Sequence, residues 1–178
     1  FRRNVLERLH GDDLYDRKRV EQRLNQAKKA HDMSMIKACE DALHFFTDQD
    51  YFILHRKDKG GKTRLAPIVG PYKESVIRRM QNTAPNDLVW NCVNSNCDVH
   101  GYRADYATYL YKLYAKPIES LDYSHKIMCA DGKMRSEIYV CRSDEKGKKL
   151  DRKAVRAVSV ALGHNREDTA ITSYIRNL

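Results

Sequence analysis

Apolar positions along this 178-residue chain recur mostly at helical spacing, interrupted by short runs of β-forming residues. Residues 2–10 place Val5, Leu6 and Leu9 on one stripe, which predicts a helix, and GDDLYD at 11–16 breaks it. Residues 16–46 read as two charged amphipathic helices parted near HDMS, where Asp32 or Ser34 can cap the second by accepting a backbone N–H. YFILHRK (51–57) and TRLAPIV (63–69) flank DKGGK, the signature of a β-hairpin. A helix follows over 70–83, with Pro71 near its start, where a missing N–H costs nothing. Residues 85–100 read as a loop with one short apolar run, and 100–115 as a helix with a tyrosine-rich face. The stretch 117–150 looks irregular apart from a second hairpin, SEIYVCR and KKLDR around SDEKGK. A helix over 151–162 stops at Gly163, which suits a left-handed cap, and a last helix spans 166–178. There are no repeats and no low-complexity linkers. The pattern predicts an α+β fold, mainly α, with a small antiparallel sheet.

Composition narrows the class. A net charge of +9 makes the chain basic, and 42% apolar residues argue against disorder. The length suits one domain with a real core. A basic globular chain most often binds a polyanion, because neutralised phosphates release their counterions; the plainer alternative is a cationic soluble domain. No stretch is long and apolar enough to span a bilayer, so no membrane partner is expected, and the start has no signal-peptide pattern. The five cysteines, Cys39, Cys92, Cys97, Cys129 and Cys141, are irregularly spaced, as reduced thiols are. Cys92, Cys97 and His100 lack the spacing of a metal knuckle, and no metal site is expected.

Four places could carry chemistry. Tyr174 lies ten positions after His164, near the chain's end; a lone tyrosine there is ordinarily a packing residue. His100 and Arg103, in HGYR, share a helix face. A guanidinium can grip two oxygens of one phosphate, and an imidazole can offer a hydrogen bond or a proton. Lys59 stands at the hairpin tip, where an ammonium group can enter a groove; Lys57, Lys62 and Arg64 nearby leave the choice of lysine open. His164, after Leu162–Gly163, could bond a phosphate oxygen or satisfy a helix end.

KGGKTRLAPI, HGYRADYAT and LGHNREDTAITSY, in that order along the chain and taken together, resemble the tyrosine recombinases, the phage-integrase-like enzymes that cut and rejoin DNA. The similarity covers almost the whole chain, 1–178, as the catalytic domain of that family. H-x-x-R combined with LGH and a following tyrosine is far more specific than either half. YVCR, GKKLDRKA and ALGHNR are similar to integrases of bacterial mobile elements. The resemblance implies six catalytic residues: Arg2, Lys59, His100, Arg103, His164 and the nucleophile Tyr174. Arg2 fits the family's first arginine because Leu6, Leu9 and Leu14 then take its helix's apolar positions, whereas Arg3 would put Glu7 and His10 there. Val5 stands where the family usually has glutamate.

The resemblance also implies DNA contacts by Lys57, Lys62, Arg64 and Arg166, double-stranded DNA as substrate, and no cofactor. It implies a homo-tetramer on DNA that is monomeric without it, and accessory excision or host DNA-bending proteins as partners. A bacterial, cytoplasmic, DNA-associated setting follows. Phe1 and the mid-helix character of FRRNVLERL suggest a fragment lacking the family's N-terminal DNA-clamping domain. Two stretches exceed the family pattern: 15–48, expected as an accessory helical arm, and 117–152. Two other readings share the features. Type IB topoisomerases use the same constellation, and a non-catalytic basic DNA-binding module needs only the charge.

Overall fold

The computed structural model describes residues 6–58, 62–129, 132–142, 145–164, 169–171 and 174–175, without the side chains of Lys57 and Asp58. The described residues form a mixed α+β fold with small antiparallel sheets, divided into two units, Phe1–Tyr102 and Arg103–Leu178.

In the first unit a 3-10 turn at Gly11–Asp13 leads into strand β1 (Leu14–Asp16), then helices α1 (Arg17–Lys29) and α2 (Met33–Phe45). Strands β2 (Tyr51–Asp58) and β3 (Lys62–Pro67) and helix α3 (Lys73–Gln81) follow. The strands pair antiparallel in the order β1-β2-β3. The β2–β3 pair is the expected hairpin, and its tip, 59–61, lies outside the described residues. Consecutive positions of β2 are buried because both faces of the strand are covered. Ile53 joins Leu9, Ile68, Ile77, Met80 and Val89 in one cluster, which includes the inward residues of α3. Phe52 points the other way, its ring 6.5 Å from that of Phe46 at the end of α2.

Side-chain caps fix where the helices start. Asp16 accepts from Arg19 N at 2.7 Å, and Asp32, not Ser34, opens α2 by accepting from Met35 N at 3.0 Å. Arg17 reaches from the start of α1 to the end of α2, donating through Nη1 to the carbonyls of Phe46 at 3.3 Å and Thr47 at 3.0 Å.

Two expectations for this unit change. Of the helix read over 2–10, residues 2–5 lie outside the described residues, Leu6 is helical and 7–10 are not. Leu9 O instead accepts from Val89 N at 2.8 Å and His10 bridges Leu88, so an extended pairing carries Leu9 into the core. Residues 15–48 are not an arm either. They supply the edge strand β1 and two helices, and α2 packs on β3 with Ala38, Cys39, Ala42 and Phe46 all buried. Three small side chains let this helix lie close to the strands.

The second unit takes helix α4 (Val99–Tyr114) from Arg103 onward, and a 3-10 turn at Ile118–Ser120. Strands β4 (Lys126–Met128), β5 (Met134–Ser136), β6 (Ile138–Val140) and β7 (Lys149–Asp151) and helix α5 (Arg152–Leu162) complete it. β4 pairs with β5 and β6 with β7, each pair antiparallel. The β6–β7 pair is the second expected hairpin. The β4–β5 pair falls in a stretch read as irregular, where Met128 and Met134 face each other exposed and give no inward period to detect.

Helix α5 buries Ala154, Val155, Ala157, Val158, Ala161 and Leu162 and ends, as expected, at Gly163 with φ of 75°. Residues 169–171 of the expected last helix are helical, and most of its remainder lies outside the described residues. Among the described residues no helix is long and apolar enough to cross a membrane.

Candidate active site

Arg103 sits near the start of α4 with only 6% of its surface exposed. A buried cation needs acceptors, and this one finds them where α5 ends. Its Nη2 donates to Leu162 O at 2.7 Å and lies 3.2 Å from His164 Nε2. The carbonyls at a helix C-terminus carry partial negative charge, which suits a guanidinium. The left-handed turn at Gly163 brings His164 to this point, and two local bonds hold it there: His164 N to Ser159 O at 2.8 Å, and Ser159 Oγ to His164 O at 3.2 Å. A guanidinium only donates, so His164 Nε2 accepts, and the ring proton is assigned to Nδ1.

Tyr174 completes the group. Arg103 Cζ stands 4.8 Å from the centroid of its ring, and the ring stacks on His164 at 5.5 Å with an interplanar angle of 23°. Thr108 Oγ1, further along α4, donates to Tyr174 O at 3.4 Å. Tyr174 N and Ile175 N both donate to Ala170 O, at 3.1 and 3.0 Å, and the Ile175 side chain is buried. Cation, imidazole and phenol therefore come together in one unit, Arg103 from α4 and His164 and Tyr174 from the chain's last stretch. Arg103 Nε and Nη1 are buried and have no hydrogen-bond partner among the described residues. That is unmet donor capacity of the kind an oxyanion fills.

Asp151 ties together the helices that carry these residues. Its carboxylate caps α5, accepting from Lys153 N at 2.8 Å and Ala154 N at 3.4 Å, and also accepts from Lys116 N, just beyond α4, at 3.0 Å. Its own N–H donates to Tyr111 Oη in α4 at 3.0 Å. Burial raises the Tyr111 phenol above its ordinary pKa, so the hydroxyl stays protonated. Neither Thr108 nor Asp151 was among the residues expected to matter. The helix read over 151–162 takes Asp151 as its cap, and the bonds of Asp151 to Tyr111 and Lys116 span residues with no sequence signal.

The other expected residues fare unequally. His100 opens α4 one turn before Arg103 and is exposed. Lys62 is exposed at the start of β3. Arg64 is 7% exposed, opposite His55 in the hairpin register. Arg2, Lys59 and Arg166 lie outside the described residues, as does the side chain of Lys57. Cys39, Cys92, Cys97, Cys129 and Cys141 are free thiols. Compared with protein-family models, curated proteins and solved structures, the chain matches none.

Proposed function

We propose that this chain is the catalytic part of a site-specific DNA recombinase that cuts and rejoins strands through a 3′-phosphotyrosine link. The observation that supports it most is the Arg103–His164–Tyr174 group, with two buried guanidinium nitrogens unmet. The surplus of positive charge supports a phosphodiester as the ligand.

A phosphodiester resists attack because it is already negative, and attack adds charge at phosphorus. In this reading Arg103 donates to the non-bridging oxygens, together with Arg2, and His164 gives a further hydrogen bond. A phosphate oxygen takes over from His164 Nε2 as an acceptor for Arg103. Tyr174 Oη forms the new bond to phosphorus and gives up its proton, with His100 as the general base. The P–O5′ bond breaks, and Lys59 protonates the departing oxygen. The products are a 3′-phosphotyrosine and a free 5′-hydroxyl. One phosphoester is exchanged for another, so rejoining needs no ATP, and a second strand's 5′-hydroxyl reverses the step and exchanges partners. Such an exchange calls for a tetramer on DNA.

The test is a nicked suicide duplex, whose cleaved 5′ fragment diffuses away and traps the adduct. A covalent complex that maps to Tyr174 and disappears in Tyr174→Phe supports the proposal. DNA binding with no adduct from the wild-type chain leaves only a DNA-binding module. Supercoil relaxation without strand exchange between paired sites points to a topoisomerase.

A further inference from the structure

A cleft of about 370 Å³ in the first unit is lined by Arg19, Gln22, Arg23 and Gln26 of α1, by Tyr15 and Arg56 of the sheet, and by one carboxylate, Asp12 of the 3-10 turn. The four helix positions follow the i, i+3, i+4, i+7 spacing that a helix normally fills with apolar side chains where it faces its own protein. Here all four are polar and two are cationic. The core does not explain that choice.

The charges in the cleft are not balanced. Arg56 is neutralised, with Nε 2.8 Å from Asp13 and Nη2 3.2 Å from Asp12. Among the described residues no carboxylate pairs with Arg19 or Arg23. Arg19 is held in place, donating through Nη1 to Leu14 O at 2.7 Å, with its guanidinium 4.2 Å from the Tyr15 ring centroid. Arg23 donates through Nη1 to Gln26 Oε1 at 3.3 Å, and its Nε is buried with no hydrogen-bond partner among the described residues. Two fixed guanidinium groups with donors to spare, flanked by two amides, match a tetrahedral oxyanion.

We propose that this cleft is a phosphate-binding site, separate from the reaction centre. The phosphate is either a DNA backbone phosphodiester or part of a small phosphate-bearing ligand. The inference does not rest on the recombinase reading, since no residue of the cleft takes part in the chemistry proposed above.

The test is a titration of isotope-labelled wild-type chain with inorganic phosphate, against chloride at matched ionic strength, followed by the backbone amides of α1. Saturable shifts are expected with phosphate only. They should be lost in Arg19→Gln/Arg23→Gln and kept in Lys18→Gln/Lys29→Gln, which removes the same charge from exposed positions of the same helix. Asp12→Asn should tighten phosphate several-fold by removing a like charge. The absence of saturation in the folded wild-type chain, or equal responses from the two double variants, overturns the site. Duplex binding by the same variants identifies the source. A loss of roughly tenfold beyond that of the lysine pair assigns the site to DNA backbone, because a specific phosphate contact is then missing. Equal DNA affinity with the phosphate response lost assigns it to a free phosphate ligand.

Discussion

In the proposed reaction Arg103 serves both the carbonyl end of α5 and a phosphate, and a single charge on a flexible stem cannot serve both. Arg103→Lys keeps the charge but loses the planar fork that reaches Leu162 O while leaving nitrogens to spare. Single-turnover cleavage of a suicide duplex should fall by about 10²–10³-fold, as when one oxyanion donor is removed, while duplex binding changes little. At Cys39, burial first of all pushes the thiol up to about 11, partly offset by the nearby Arg23 cation. Near neutral pH it should be the slow thiol toward alkylation, while exposed Cys92 reacts early; peptide mapping after a timed pulse would show the order.

At the scale of elements, the helices of 15–48 are covering layers of a sheet, so their loss should be structural before it is functional. Phe46 is fully buried against Phe52. Phe46→Ala should cost about 3–5 kcal/mol in urea unfolding of the first unit. In the second unit, the hydrogen bond from the His125 ring, 2.8 Å away, holds the Glu137 carboxyl below the usual carboxylate range, helped by Asp122 N–H. A carboxyl depressed in the folded state adds stability above its unfolded pKa, and that stability is lost as pH falls through the folded value. Wild type should therefore exceed Glu137→Gln in stability near neutrality, with the gap closing at acid pH; urea midpoints across that range would show it. The hairpins, the Asp32 cap and the Gly163 stop were legible because each is written in a few adjacent residues. β1 was not legible, since three residues show no period and its existence depends on β2. Of the site, the sequence named Arg103, His164 and Tyr174 but carried no sign of Thr108, and it gave no hint that Arg64 would be buried.

For the whole molecule, the excess of positive charge sets what the proposed DNA binding should look like. Duplex affinity should fall steeply as salt rises, with a slope that reports the number of phosphates neutralised. Without DNA the chain should sediment as a monomer, and a stable dimer or tetramer would contradict that. α4 and α5 run antiparallel, joined at one end by Arg103 with Leu162 and His164, and at the other by Asp151 with Tyr111 and Lys116. The pair is a ladder with a rung at each end. Loosening the far rung lets α4 pivot, and a tilt on the order of 5° over the roughly 12 Å from Tyr111 to Arg103 displaces the guanidinium by about 1 Å. A misplacement of about 1 Å can cost on the order of 10²-fold in rate. Tyr111→Phe, which removes one of that rung's two bonds and leaves Asp151 with Lys116, should thus slow the proposed cleavage more than it weakens DNA binding. Asp151 and Tyr111 act as the alignment screws of a site they never touch.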